Sequence, residues 1–193
     1  MVAGANGPRD TGGPGLLVLT GPSHAGKTTV AEEVLTIARR PAAYLSVDDA
    51  LERTLQRPAG DIWAEIPLAY ELICSDLKVL LERGWLVIVE STFTYISPEG
   101  DGELHRDALA EMLEIAASRQ LPWWVVQLTA ERETLLARAD RTSRLDSTVV
   151  SGTFALHQDG AALLAATQVV DTDSLDPRDA ATAILAHLAE PAA

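Results

Sequence analysis

Apolar residues along the chain fall into short runs separated by longer segments in which they recur at helical spacing. Mostly apolar runs occupy residues 16–20, 42–47, 85–89, 123–128 and 168–171, and such runs are typical of strands buried in a parallel sheet. The segments between them predict helices over residues 28–39, 49–56, 61–83, 104–119, 131–139 and 177–188. The chain is therefore predicted to alternate between strands and helices.

Proline and glycine residues mark several of the predicted boundaries. Pro41 ends the first helix, Pro67 starts or kinks the third, and Gly84 caps the end of that helix. Residues 57–60 and 97–102 are predicted loops. Residues 140–148 are polar and arginine-bearing, with no obvious period.

The alternation also predicts where a ligand binds. Strands that alternate with helices form a parallel sheet covered on both faces, and ligands of such sheets bind beyond the carboxyl ends of the strands. Polar residues lie near these ends, namely Thr20, Asp48, Glu90, Thr129 and Asp171. We therefore expect the chemistry of the protein at one rim of the sheet.

The segment after the first strand, residues 21–28, reads Gly-Pro-Ser-His-Ala-Gly-Lys-Thr and matches the phosphate-loop pattern G-x-x-x-x-G-K-[ST] in full. Its glycines let backbone N–H groups point at phosphates, and the dipole of the following helix favours anions. Lys27 is predicted to bridge the β- and γ-phosphates, and the Thr28 hydroxyl to bind Mg²⁺. The predicted nucleotide contacts are Gly21, Ser23, His24, Ala25, Gly26, Lys27, Thr28 and Thr29.

Composition narrows the class of protein. The 193 residues suit one α/β domain, and the 47% of hydrophobic residues supply a packed core. A net charge of −13 without a basic run argues against nucleic acid as a partner, and the absence of a long apolar stretch argues against a membrane span. Cys74 is the only cysteine, which fits a reducing, cytoplasmic location. Residues 1–15, rich in Gly and Pro, are predicted to be a flexible leader.

Two classes of phosphate-loop protein do not fit the sequence. GTPases read guanine with an Asn-Lys-x-Asp element, which is absent because Asn6 is the only asparagine and Lys78 the only lysine besides Lys27. Large motor or AAA-type ATPases need a longer chain. Among phosphate-loop proteins, these exclusions leave a compact kinase. We predict an α/β fold with a five-stranded parallel sheet, a three-layer P-loop NTPase of the nucleoside-monophosphate-kinase type.

Further short segments follow the phosphate loop in a definite order. They are residues 46–49 (Ser-Val-Asp-Asp), 84–90 (Gly-Trp-Leu-Val-Ile-Val-Glu), 138–141 (Arg-Ala-Asp-Arg), His157, and residues 170–172 (Val-Asp-Thr). In order and approximate spacing they resemble the chloramphenicol phosphotransferase-like family of small P-loop kinases. The resemblance implies ATP-dependent O-phosphorylation of a small molecule with ATP and Mg²⁺ as cofactors. The kinase domain would occupy residues 16–190, with a lid at about residues 138–150.

The resemblance also implies roles for two acidic residues. Asp48 matches the family's aspartate that accepts the proton of the attacking hydroxyl, and a carboxylate at a strand end is suited to that task. Asp49 is the competing candidate, although aspartate is also favoured as a helix cap. Glu90, where family members often have Asp, is predicted to hold Mg²⁺ or to bind the substrate. The alternative for Glu90 is a strand-end residue without chemistry.

Arginines after residue 137 are candidates for the lid. Arg138 and Arg141 match the family's Arg-x-Asp-Arg element, and such arginines neutralise charge on the transferring phosphoryl group. Arg144 continues the spacing without matching a fixed position. The alternative for all three is a solvated helix face paired with Asp140.

The remaining candidates concern the two small-molecule pockets. The resemblance places adenine near the loop after the fifth strand, around residues 171–174, with Asp171, Thr172 and Arg138 as nucleotide contacts. His157 either lines the substrate site or lies on the surface. Aromatic residues supply flat apolar walls for a ring-bearing acceptor, and core packing is their alternative role. The aromatic candidates are Trp63, Tyr70, Phe93 and Tyr95.

Three functions remain open on the sequence. The first is an O-phosphotransferase that acts on an antibiotic or secondary metabolite, for inactivation or self-resistance. The second is a kinase of a primary metabolite such as a sugar, a nucleoside or a shikimate-like acid. An anionic acceptor needs basic residues, and only Arg53 and Arg57 are near Asp48 in sequence, which favours a neutral acceptor. The third is a nucleotide-dependent switch, which does not need a carboxylate at position 48.

Overall fold

The structure, a computed structural model, describes residues 13–54, 65–96, 102–142, 147–160 and 166–189. Its strands are β1 Gly15–Thr20, β2 Ala42–Ser46, β3 Leu86–Glu90, β4 Thr94–Ile96, β5 Gly102–Leu104, β6 Trp123–Thr129 and β7 Gln168–Asp171. Its helices are α1 Lys27–Ile37, α2 Val47–Thr54, α3 Ile66–Glu82, α4 Arg106–Ala117, α5 Arg132–Thr142, α6 Ser147–Gly160 and α7 Pro177–Leu188. Over these ranges, no helix has the length and apolarity that a membrane span requires.

Five strands form one parallel sheet in the order β2-β3-β1-β6-β7. This arrangement confirms the predicted α/β fold with a five-stranded parallel sheet of the P-loop, nucleoside-monophosphate-kinase type. β1 lies in the middle of the sheet, between β3 and β6. The phosphate loop that follows β1 therefore emerges at the centre of the carboxyl edge.

The central strands are buried because helices cover both faces of the sheet. Leu17 and Leu19 of β1 belong to a cluster with α1, α5 and α7, whereas Leu16 and Val18 belong to a cluster with α2, α3 and α4. Since side chains alternate between the faces and both faces are covered, every position along such a strand is apolar. The edge strand β7 is less apolar, with Val169 59% exposed, and its sequence pattern is correspondingly weak.

The start of α2 differs from the sequence prediction. β2 ends at Ser46 and α2 begins at Val47, so Asp48 and Asp49 lie in the first turn of a helix and not beyond a strand. The Ser46 hydroxyl accepts a hydrogen bond from the Asp49 backbone N–H at 3.3 Å. Ser46, not Asp49, therefore caps the helix, as serine commonly does.

Two further features were missed by the sequence prediction. β4 and β5 pair as a small antiparallel hairpin beside the predicted loop over residues 97–102, most of which lies outside the described residues. α5 extends to Thr142, and α6 follows from Ser147, in a region without an apolar period. The buried positions of α6 include Thr153 and His157, and polar residues on the inner face of a helix leave no hydrophobic signal. Arg144 lies outside the described residues.

Two glycines with positive φ differ in what surrounds them. At Gly84, which ends α3 with φ 82°, an added Cβ meets no atom within 4 Å. At Gly21, with φ 141°, an added Cβ lies 2.3 Å from the backbone oxygen of Leu128 in β6. The loop thus passes so close to β6 that only glycine fits there.

We expect Gly84→Ala to lower the free energy of unfolding by about 1–2 kcal/mol through backbone strain alone. Gly21→Ala should lower it by at least about 3 kcal/mol, since β6 must also shift. Urea denaturation of both variants measures the difference. Equal losses in the two variants contradict the steric role of Gly21.

Candidate functional site

The phosphate loop, residues 21–28, curls around a buried lysine. Lys27 is the first residue of α1 and is 6% exposed. Its ammonium donates hydrogen bonds to the backbone oxygens of Gly21 at 3.2 Å and Pro22 at 3.0 Å. Burial lowers the pKa of Lys27, while the charges of Glu90 and Asp48 raise it. The ammonium is therefore held by loop carbonyls within the field of two carboxylates.

His24 has a backbone conformation that is uncommon for a residue with a side chain. Its φ of 63° lies in the left-handed region. Burial lowers its pKa, and the charges of Lys27 and Arg138 lower it further. The loop therefore carries a neutral imidazole at physiological pH.

Glu90, at the end of β3, receives two hydroxyl groups. The Thr28 hydroxyl donates to Glu90 Oε2 at 3.2 Å, and the Tyr44 hydroxyl donates to the same oxygen. Burial raises the pKa of Tyr44 and the bond to Glu90 raises it further, so the phenol stays protonated as a donor. The structure thus brings Thr28 and Glu90, the predicted metal ligands, side by side.

The residues at this point fit a magnesium ion that is bound mainly through phosphate oxygens and water. The described part of the chain contains no group of three or more His, Cys, Asp and Glu side chains that could hold a metal. Mg²⁺ commonly binds through one or two carboxylates together with substrate phosphates. Thr28 and Glu90 supply a hydroxyl and a carboxylate of this kind beside the loop.

Asp48 lies in the first turn of α2 with an accessible side chain. Desolvation by the surrounding protein raises its pKa, the ammonium of Lys27 lowers it, and the neighbouring carboxylates raise it again, Glu90 foremost. The pKa of Asp48 is raised overall. Asp48 is therefore a more basic carboxylate than usual, and it interacts electrostatically with both Lys27 and Glu90.

Arg138 of α5 joins the phosphate loop to the segment after β7. Its guanidinium donates to the His24 backbone oxygen at 3.3 Å, and to the Thr172 hydroxyl at 3.0 Å and backbone oxygen at 2.9 Å. It also pairs with Asp173 at 3.4 Å. Arg141, one turn later in the same helix, is exposed. The two predicted lid arginines thus differ, because only Arg138 is tied to the loop by these bonds.

A cavity of about 230 Å³ lies beside Arg138 and the phosphate loop. Its apolar walls come from Val30, Leu175, Pro177 and Ala180, and its remaining lining comes from Gly26, Thr29, Arg138 and Thr172. Asp171, also predicted near adenine, is exposed and accepts a hydrogen bond from the Asp173 backbone N–H at 2.9 Å. Apolar walls with few polar groups are typical of small-molecule sites.

The predicted acceptor-side residues fall into three groups. Phe93 is 0% exposed and stacks on Tyr70 with ring centroids 5.7 Å apart, so its ring packs in the core, which is the alternative role that the sequence left open for it. The Phe93 backbone N–H donates a hydrogen bond to the Ser91 hydroxyl at 3.0 Å, and its φ of 50° lies in the left-handed region. This backbone conformation accompanies the core position of the ring. The Tyr95 side chain and Trp63 lie outside the described residues. His157 is 2% exposed, so the surface alternative for it is wrong.

Two contacts at the site involve residues that the sequence analysis did not single out. One of them is Tyr44, which bonds to Glu90. Its only sequence signal was a hydroxyl group two positions before the end of a strand. Asp173 pairs with Arg138 and also accepts the Glu131 backbone N–H at 2.6 Å. It follows Asp171 and Thr172 directly, so its place after β7 was the available signal.

A family model described as an AAA domain matches residues 16–164. The match begins in β1, includes the phosphate loop and extends past α6. A search of the curated proteins finds no significant match.

Solved structures of similar size share the fold. The tunicamycin resistance protein of Deinococcus radiodurans superimposes with a TM-score of 0.65 at 16% identity, over 91% of this chain and 95% of that chain. Shikimate kinase from Acinetobacter baumannii in complex with shikimate gives 0.60 at 19% identity, over 91% and 93%. A gluconokinase from Sinorhizobium meliloti 1021 gives 0.61 at 19% identity, over 91% and 94%. At these identities the likeness establishes the fold alone.

The hydroxyl of Tyr44 offers a test of the Glu90 cluster. We expect Tyr44→Phe to raise the Mg²⁺ concentration for half-maximal nucleotide binding about tenfold, since a hydrogen bond to a charged group contributes about 1.5 kcal/mol or more. Nucleotide binding without Mg²⁺ should not change. Titration of a fluorescent ATP analogue at several Mg²⁺ concentrations measures both.

Tyr70→Phe is the matched control for this substitution. It also removes a buried phenol hydroxyl, which lies 3.1 Å from the Ser91 hydroxyl and not beside Glu90. Its Mg²⁺ dependence should equal that of the unmodified protein. If both variants shift the Mg²⁺ requirement alike, Tyr44 has no particular role at Glu90.

Proposed function

The chain belongs to the AAA domain family, and from this premise we propose that it is an ATP-dependent phosphotransferase that passes the γ-phosphate to a hydroxyl of a small molecule. The observation that carries the proposal is the position of Asp48 in the first turn of α2, directly after the strand β2 that pairs with β3, where the charges of Lys27 and Glu90 act on it. A nucleotide-dependent switch needs the loop and a metal ligand, but it has no use for a further carboxylate with a raised pKa.

The phosphate loop and the cavity beside it would hold ATP. The N–H groups of the loop and the Lys27 ammonium bind phosphate oxygens, and the start of α1 adds its dipole. The apolar walls at Val30 and Leu175 suit the adenine ring, with Arg138 and Thr172 beside them. Thr28 and Glu90 would hold Mg²⁺, which would neutralise part of the charge on the phosphates.

Asp48 would act as the general base. Its carboxylate takes the proton of the acceptor hydroxyl while the acceptor oxygen forms a bond to the γ-phosphorus. The bond from that phosphorus to the β,γ-bridging oxygen breaks, and ADP leaves. Lys27 stabilises the negative charge that moves onto the phosphate oxygens, and Arg141 is the further candidate for this role from α5.

For the acceptor, we favour a neutral antibiotic or secondary metabolite. The described charged groups that act on Asp48 include three carboxylates, from Glu90, Glu52 and Asp49, against the one ammonium of Lys27. This excess of negative charge around Asp48 disfavours the binding of an anionic acceptor. The tunicamycin resistance protein among the similar folds is compatible with this choice.

A primary-metabolite kinase is the second candidate. Shikimate kinase and the gluconokinase resemble this chain about as closely as the resistance protein does, with TM-scores of 0.60 and 0.61. Fold does not determine the substrate of such proteins, because substrate choice depends on the side chains of the site. The acceptor must therefore be identified by experiment.

We expect Asp48→Asn to bind ATP with unchanged affinity and to lower kcat about 100-fold or more, since general-base catalysis contributes about 10²–10⁴. ADP release and the mass shift of the acceptor measure turnover with hydroxylated antibiotics, sugars and nucleosides. Asp49→Asn, in the same helical turn, is the matched control and should keep most of its activity. Equal kcat values for the two variants rule out Asp48 as the base.

The raised pKa of Asp48 predicts the pH dependence. The ionised form accepts the proton, so kcat is at its maximum above the pKa of Asp48 and decreases as the pH falls through that pKa. Because this pKa is raised, the loss should begin at a higher pH than for an ordinary aspartate, whose pKa is about 3.9. A pH–rate profile with saturating ATP measures it. An acid limb at or below that ordinary value contradicts the prediction.

A further inference from the structure

One face of α6 closes over the rim of the sheet beside the phosphate loop. Thr153 and His157, four residues apart, are 3% and 2% exposed. The Thr153 hydroxyl accepts a hydrogen bond from the Ser23 backbone N–H in the phosphate loop at 3.2 Å. The His157 ring nitrogen Nε2 lies 2.9 Å from the backbone oxygen of Thr92, two residues after Glu90. α6 therefore spans from the phosphate loop to the end of β3.

Two buried polar atoms under this helix lack a hydrogen-bond partner within the described part of the chain. They are Nδ1 of His157 and Oε1 of Gln127. The Gln127 side chain lies beside His157, because its amide nitrogen donates to the His157 backbone oxygen at 3.5 Å. Gln127 is 5% exposed and points from β6 to the sheet face that carries α3 and α4. Buried polar atoms are seldom left without a partner, so this pair points to a ligand or a water.

The chemistry of both atoms is fixed by their surroundings. Burial, together with the charge of Lys27, lowers the pKa of His157 to about 4. The imidazole is therefore neutral at physiological pH. Since Nε2 faces the Thr92 carbonyl, it carries the proton, and Nδ1 has a lone pair. Nδ1 of His157 and Oε1 of Gln127 thus both accept hydrogen bonds, and neither can donate one to a carboxylate or phosphate.

The pair also lies near the groups assigned to phosphate transfer. Lys27 acts electrostatically on His157, and the same ammonium acts on Asp48. Thr20, the last residue of β1, donates to the same Thr92 oxygen at 3.5 Å. The His157 ring thus lies close to the end of β1, from which the phosphate loop starts.

We propose that Nδ1 of His157 and Oε1 of Gln127 accept hydrogen bonds from the acceptor molecule and select one that presents uncharged donors, such as hydroxyl or amide N–H groups. The inference rests on the proposed phosphotransfer and specifies its substrate class. Both atoms are closed to solvent, so the proposal requires that α6 moves away from the loop when the acceptor binds. An anionic group in the same place meets two lone pairs and is rejected.

The test uses His157→Gln in the full chain. The amide N–H of glutamine replaces the Nε2–H that faces Thr92, but glutamine has no counterpart of Nδ1. The probes are matched neutral and anionic acceptors, glucose with gluconate and methyl shikimate with shikimate, together with tunicamycin. ADP release and mass shift give kcat and KM for each, and His187→Gln in α7 is the control for the same substitution elsewhere.

We expect a neutral probe to be phosphorylated with a kcat/KM at least about tenfold above that of its anionic partner. His157→Gln should raise the KM for that neutral probe about 3–10-fold, as loss of one neutral hydrogen bond implies. The KM for ATP and the Tm should stay unchanged. An O-methyl analogue of the neutral probe cannot donate a hydrogen bond from the methylated oxygen. It should bind the unmodified protein more weakly than the parent probe does, but it should bind the variant as well as the parent probe does.

Other results separate the inference from the function it rests on. A preference for the anionic probe, or an unchanged acceptor KM in His157→Gln, overturns the inference while phosphotransfer stands. A lower Tm with an unchanged acceptor KM assigns the two atoms to a structural water and also overturns it. If no probe is phosphorylated, the proposed function fails and the inference fails with it.

Discussion

The arrangement of the site depends on the buried ammonium of Lys27. A charge removed from water is costly unless nearby groups compensate for it. Here the backbone oxygens of Gly21 and Pro22 accept hydrogen bonds from the ammonium, and Glu90 and Asp48 supply opposite charge. The order of the sheet makes this compensation available, because β3 lies next to β1 and β2 next to β3. Glu90 at the end of β3 and Asp48 just after β2 therefore both act electrostatically on the same lysine.

Much of the fold could be predicted because its signals are local. β1, β3 and β6 are apolar at nearly every position since both their faces are covered, and the phosphate loop has a definite pattern. The elements that were missed depend on distant contacts. The inner face of α6 carries Thr153 and His157, whose partners are Ser23 and Thr92, so no period in its own sequence marks it as a buried helix.

The candidate site shows the same division. Lys27, Thr28 and Glu90 could be named from motifs that lie within a few residues along the chain. Tyr44 could not, because its importance comes from β2 lying next to β3, which brings its hydroxyl to Glu90. The core position of Phe93 could not be predicted for a similar reason. Aromatic character alone does not say whether a ring faces a cleft or, as here, stacks on Tyr70 in the core.

The bond between Thr153 and Ser23 has a consequence for how two ligands affect each other. The Ser23 N–H that serves the Thr153 hydroxyl belongs to the loop that binds phosphates, and one N–H cannot fully serve both a hydroxyl and a phosphate oxygen. A nucleotide in the loop would therefore weaken the hydrogen bond between Ser23 and Thr153. Displacement of α6 would in turn free the Ser23 N–H for the nucleotide. By linkage, a molecule bound under α6 and a nucleotide in the loop change each other's affinity by the same factor. Under the proposed function, the helix would thus make the binding of acceptor and nucleotide cooperative.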